Sequence, residues 1–153
     1  MNITNILNYK GLEIAYFIRP GNEKTLLYLH GGACSSEDFI EATTREELKV
    51  YTIVGIDFPG CGESPYPESE ALKIDDLMKI TRNITQHLNL HNIALIGHSM
   101  GGLVSLKYIV KYGGIDAFIS TEGNLAPENC VFSRKVAAIK KVVEFENNAW
   151  QDL

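Results

Sequence analysis

The chain has 153 residues, 45% of them hydrophobic and 22% charged, with a formal net charge of −5. That length can bury a real core, and the balance excludes a disordered or fibrous chain. The acidic charge is scattered, no Lys/Arg cluster offers a nucleic-acid footprint, and no apolar run approaches the ~20 residues of a membrane span.

The opening MNITNILNYK has no basic stretch leading into an apolar one, so it does not read as a signal peptide. Cys34, Cys61 and Cys130 are far apart and lack CxxC spacing. They read as free thiols in a reducing compartment, not as a disulfide framework or a zinc site. The expectation is a cytoplasmic protein with no cofactor and no metal.

In chain order, Asn8-Tyr9-Lys10-Gly11 reads as a hairpin turn after a short first strand. Leu12, Ile14, Tyr16 and Ile18 then alternate with Glu13, Ala15 and Phe17 as a half-buried strand. The run TLLYL, Thr25 to Leu29, reads as a strand buried on both faces. Glu37 to Leu48 is helix-like with Ser36 as its N-cap. Val50 to Ile56 is a second buried strand, and Ile74, Leu77, Met78, Thr81, Ile84 and Leu88 recur at helical spacing up to about Leu90. Ile93 to Ile96 is a third, running straight into glycines. Leu103, Leu106 and Val110 mark the following helix, which Lys111 and Gly113-Gly114 end. Ala117 to Ser120 is one more strand, and Phe132, Val136, Ile139 and Val143 line a terminal helix toward Trp150. The basic Arg134-Lys135 and Lys140-Lys141 read as a solvated face of that helix.

Alternating strands and helices predict an α/β fold: a mostly parallel sheet with helices on both faces and chemistry at the carboxyl ends of its strands. Three loops at those ends carry unusual residues: His30 to Ser36, Asp57 to Ser64, and Gly97 to Gly102. None is a phosphate loop. Gly97 is followed by three non-glycines, Gly60-x-Gly62 lacks a third glycine, and no G-x-x-x-x-G-K-[ST] occurs.

Gly97-x-Ser99-x-Gly101 fits a nucleophile elbow. Such a strand-to-helix turn strains its central residue, and side chains two positions either side would crowd each other and the neighbouring strand. It lifts the Ser99 hydroxyl clear of the sheet and puts the Met100 amide at a helix N-terminus, where it can hold a developing oxyanion. In His30-Gly31-Gly32, two glycines let the backbone approach a substrate and turn an N–H toward it, that of Gly32. His30 reads as a brace for the loop. His98 also reads as structural, because neighbours in a tight elbow point apart.

The HGG loop, then GIDFPGCGES, then LIGHSMGG, in that order, resemble the α/β-hydrolase superfamily over roughly residues 11 to 125. The resemblance implies Ser99 as nucleophile, Gly32 and Met100 as oxyanion-hole residues, and Asp57 to Ser64 as a structural loop beside the site. Position 61, often basic or bulky in that family, is Cys here and has no functional reading.

The family's triad runs serine, acid, histidine along the chain. The four histidines here are His30, His87, His91 and His98, and none follows Ser99. His87 and His91 close the long helix, where solvent exposure explains them. The expectation is therefore the amino-terminal half of a hydrolase, truncated before the last strands. Residues 1–130 would form the core, and 131–153 would start a cap or a terminal helix. Glu122, directly after the AFIS strand, is either the triad acid or a polar loop residue lining the pocket. Asp116 lies at the wrong end of the sheet.

The function this implies is a serine hydrolase of a small ester, thioester or related acyl substrate, working through an acyl-enzyme on Ser99. The alternative is a truncated or degenerate hydrolase acting as a non-catalytic binding module. Expected partners are a small-molecule acyl substrate, with neither nucleic acid nor membrane, and a second copy meeting it through an exposed sheet edge.

Overall fold

In the computed structural model, which describes residues 4–67, 72–123 and 125–126, the chain opens with a hairpin. Strand β1 (Thr4–Tyr9) pairs antiparallel with β2 (Leu12–Arg19). Lys10 and Gly11 make the turn at φ 54 and φ 84, and the Gly11 amide donates to Asn8 Oδ1 at 3.1 Å. Consecutive positive φ values match the twist of the two strands, which is why glycine ends the turn.

Four further strands complete the described sheet: β3 (Thr25–Leu29), β4 (Thr52–Ile56), β5 (Ile93–His98) and β6 (Ile115–Thr121). The order is β1-β2-β4-β3-β5-β6. β2 runs antiparallel to β4, whereas β3 pairs in parallel with β4 and β5, and β5 in parallel with β6. Two helices connect the later strands, α1 (Ile74–His87) and α2 (Met100–Tyr112). Leu27 and Leu29 join a buried cluster with Leu77, Ile80 and Ile84 of α1 and Val104 and Tyr108 of α2. Tyr28 points to the opposite face by strand alternation. There it stacks on Phe39, ring centroids 4.7 Å apart. Both faces of the sheet are thus covered.

Three local expectations are corrected. The stretch after the HGG loop forms 3₁₀ turns, Ser36–Thr44 and Glu46–Leu48, rather than one α-helix. Its N-cap is Ser35, not Ser36, with the Ser35 hydroxyl accepting from the Glu37 amide at 3.3 Å. Ser36 is buried, and its amide is committed to Asp57 Oδ1 at 2.7 Å. Thr43 and Thr44 turn their hydroxyls back on the Ile40 and Glu41 carbonyls, and Arg45 is extended at φ −72, ψ 124, which stops the segment.

β2 is not half-buried, because Phe17 and Ala15 are as enclosed as Ile14 and Tyr16. A Cβ on Gly55 of the adjacent β4 would lie 2.2 Å from Phe17 Cε1, so the glycine makes the space that ring occupies. In α2 the buried face is Gly101, Gly102, Val104, Ser105 and Tyr108, while Val110 is 80% exposed. Glycine and serine let α2 sit close to the sheet, which turns the larger Leu103–Leu106–Val110 stripe away from it.

The chain divides into two compact units, Met1–Gly123 and Asn124–Leu153. The helix expected from Phe132 toward Trp150 lies outside the described residues, as does Cys130. Among the described residues, no helix is long and apolar enough to cross a membrane.

Candidate active site

Ser99 sits between β5 and α2 with φ 48 and ψ −114. This conformation is unfavourable for a residue with a Cβ and costs about 1–3 kcal/mol. The turn persists because its surroundings hold it. The Ser99 amide donates to the Thr121 carbonyl of β6 at 2.9 Å, and its carbonyl accepts from the Gly102 amide at 3.0 Å. The flanking glycines are sterically required. A Cβ on Gly97 would lie 2.6 Å from the Gly101 carbonyl oxygen, and one on Gly101 would lie 2.0 Å from the Leu29 carbonyl oxygen of β3. Met100 is the first residue of α2, so its amide is among the helix N–H groups with no intrahelical partner.

β3 and β5 are neighbours, so the HGG loop after β3 comes up beside the elbow. The tight approach is at Gly31, where a Cβ would lie 3.2 Å from Ser99 Cβ and 2.9 Å from His98 Nδ1. At Gly32 a Cβ would meet nothing within 4 Å, so that position is open.

His30 is fully buried. Its Nε2 accepts from the Phe58 amide at 3.0 Å, which places the proton on Nδ1, where it donates to the Gly31 carbonyl at 2.7 Å. Burial lowers its pKa below the ordinary value, so the neutral ring is favoured. With both nitrogens engaged, His30 joins the HGG loop to the loop after β4 and has no lone pair for Ser99.

That second loop is held by Asp57. Oδ1 accepts from the Ser36 amide at 2.7 Å and Oδ2 from the Glu63 amide at 2.9 Å. The Ser64 hydroxyl donates to the Asp57 carbonyl at 2.7 Å and accepts from the Ala15 amide at 2.8 Å. Asp57 and Ser64 therefore tie β2, β4 and the 3₁₀ segment into one frame, and Gly62, at φ 52, gives the carboxylate room.

The other histidines are elsewhere. His87 and His91 are exposed and precede β5 at its amino end, whereas Ser99 follows its carboxyl end, about 20 Å along the strand. His98 Nε2 lies 3.6 Å from Glu122 Oε2. Glu122 follows β6, its side chain 88% exposed and its backbone at φ 50. It thus stands one strand over from the serine, at the same edge of the sheet. Asp116, at the other end of β6, pairs with Lys24 at 3.6 Å.

Cys34 and Cys61 are free thiols. Burial raises both pKa values, with the Asp38 carboxylate adding to the effect at Cys34 and that of Asp57 at Cys61. A hollow of 470 Å³ is lined by Tyr16, Ser36, Asp57 and Glu63 but not by Ser99, so it is not what marks the candidate site. Reading the sequence missed the convergence of Cys34 and Asp38 on His98, because no spacing along the chain signals it.

The strand order, with a strained serine at the β5–α2 turn facing a glycine loop from β3, defines an α/β fold with an elbow turn at its carboxyl edge. The chain belongs to the alpha/beta hydrolase fold family, whose profile matches residues 24–139. It is 34% identical over 106 residues to a proline iminopeptidase of Thermoplasma volcanium, a match covering 67% of this chain and 36% of that protein. It is 29% identical over 109 residues to the mesoderm-specific transcript protein of Mus musculus, covering 68% and 32%. Among solved structures it resembles an esterase from Exiguobacterium antarcticum, with TM-score 0.70, 26% identity, and coverage of 80% of this chain and 46% of that one. An N-acyl homoserine lactonase, at 21% identity and TM-score 0.73 with coverage of 80% and 46%, shares the fold. The matches cover 36% and 32% of the two curated relatives, about a third of their length.

Proposed function

We propose that the chain carries the nucleophile side of a serine hydrolase that cleaves a small ester, thioester or related acyl substrate. The observation carrying this reading is the backbone of Ser99, at φ 48 and ψ −114, between glycines that cannot bear a side chain. Strain kept in place by Thr121, Gly97 and Gly101 suits a hydroxyl presented for attack.

In this mechanism Ser99 Oγ attacks the acyl carbonyl and the carbonyl electrons move onto oxygen. The amides of Met100 and Gly32 stabilise that oxyanion, the first aided by the positive end of α2. The leaving group departs with a proton, and water then cleaves the acyl-enzyme to free acid and serine. Glu122 serves as the site's acid at the end of β6. The base is none of the four histidines, since His30 is committed, His98 faces Glu122, and His87 and His91 lie at the far end of β5. The described free thiols, Cys34 and Cys61, suit a cytoplasmic setting.

The arrangement of the histidines also favours a second reading, a non-catalytic binding module. Imidazole added to the 153-residue chain separates the two, because a small base can stand in for a missing side chain. The hydrolase reading expects p-nitrophenyl acetate hydrolysis near background alone, and an imidazole-dependent rise that Ser99→Ala removes. The same rise in wild type and Ser99→Ala would favour the binding module.

A further inference from the structure

Cys34, Asp38 and His98 meet beside the elbow, although Asp38 stands four positions after Cys34 and His98 sixty positions after Asp38. The thiol sulfur, a carboxylate oxygen and a ring nitrogen all lie within 4.8 Å of one another. The Asp38 carboxylate stands near enough to the Cys34 thiol to help raise its pKa. Cys34 and Asp38 also line an open cleft of 380 Å³, and Cys61 lines the same cleft from the loop after β4.

A tetrahedral ion with bonds of about 2.0–2.3 Å needs its donors roughly 3.5 Å apart. Asp38 is exposed and Cys34 half-buried, so both side chains have room to rotate toward that spacing. Sulfur, imidazole and carboxylate together favour zinc-like ions over magnesium or calcium, which take oxygen donors. We infer that Cys34, Asp38 and His98 form a three-ligand site for a thiophilic divalent cation of the zinc class, with its fourth position open to the cleft.

Binding is independent of whether Ser99 is a nucleophile. On coordination the Cys34 thiol loses its proton to solvent. His98 would hold the ion through one ring nitrogen, and the HGG loop becomes tied to the elbow beside Gly31. The ion would thus bridge the two segments that flank Ser99.

The test is a titration of the metal-free 153-residue chain with Co²⁺, an optical stand-in for zinc, followed by Zn²⁺ displacement. The expected result is a 1:1 complex with a thiolate-to-cobalt charge-transfer band that Zn²⁺ bleaches. Cys34→Ser should abolish the band, Asp38→Asn and His98→Asn should each weaken binding about tenfold or more, and Cys61→Ser should retain it. Circular dichroism establishes that each variant is folded. Absence of the band in the wild-type chain would overturn the inference. So would a band that survives Cys34→Ser and disappears with Cys61→Ser or Cys130→Ser.

Discussion

Gly101 of α2 lies so close to Leu29 of β3 that a side-chain carbon on the glycine would stand 2.0 Å from the leucine's carbonyl oxygen. The contact joins the helix after the serine to the strand before the HGG loop, so the two halves of the candidate site are set by one backbone approach. The same atom cannot be accommodated by rotating a side chain, since the obstacle is main chain.

Gly101→Ala should therefore destabilise the chain by about 1–3 kcal/mol or more, the usual cost of overpacking. In a domain of this size that lowers Tm by roughly 3–10 °C. Gly32→Ala meets nothing within 4 Å and should leave Tm nearly unchanged. Thermal melts of the two variants, monitored by circular dichroism, compare them directly. Equal melting temperatures would show that the α2–β3 approach relaxes freely.

The Asp57 frame makes a second expectation. Ser64→Ala removes the acceptor of the buried Ala15 amide and the donor to the Asp57 carbonyl. An unsatisfied buried amide costs about 1–3 kcal/mol. Asp57→Asn replaces one of two carboxylate acceptors with an amide donor facing an N–H, so it should cost at least as much. Urea unfolding should show a lower midpoint for both, with Asp57→Asn at or below Ser64→Ala.

His30 gives the fold a pH dependence of known sign. Burial lowers its folded-state pKa below the ordinary 6.5, and protonating Nε2 would set a donor against the Phe58 amide. The unfolded chain takes up this proton as pH falls through that ordinary value, while the folded chain resists until lower pH. His30 thus costs the fold nothing above the ordinary value, and stability declines as pH falls below it toward the lowered native pKa. In His30→Gln the Tm profile between about pH 7 and pH 5 should be flatter than in wild type, whatever the variant's absolute Tm. An equally steep profile would assign the acid sensitivity to other groups.

Much of this was legible along the chain because it depends on local rules. The hairpin at Lys10-Gly11, the parallel strands and the G-x-S-x-G turn each follow from neighbouring residues, whereas the strand order that sets β3 beside β5 was not read from the sequence. What escaped depends on residues distant in sequence. Ser35 rather than Ser36 caps the 3₁₀ segment because Asp57, from another loop, claims the Ser36 amide. Phe17 is buried because Gly55 on the adjacent strand makes room for it. The buried face of α2 is chosen by how closely Gly101 and Ser105 can approach the sheet, and not by its largest apolar side chains. Cys34 and Asp38 reach His98 only through the folded loops.

Reaction with a fluorophosphonate probe, mapped by mass spectrometry, tests the central claim that Ser99 is the nucleophile. An elbow serine without a positioned base should react slowly, so a long exposure of the 153-residue chain at high probe concentration is needed. The account predicts a slow, single adduct on Ser99, absent in Ser99→Ala, and faster labelling in a longer chain that supplies a downstream histidine. Adducts on other residues with Ser99 unmodified, or equal labelling of Ser99→Ala, would contradict it.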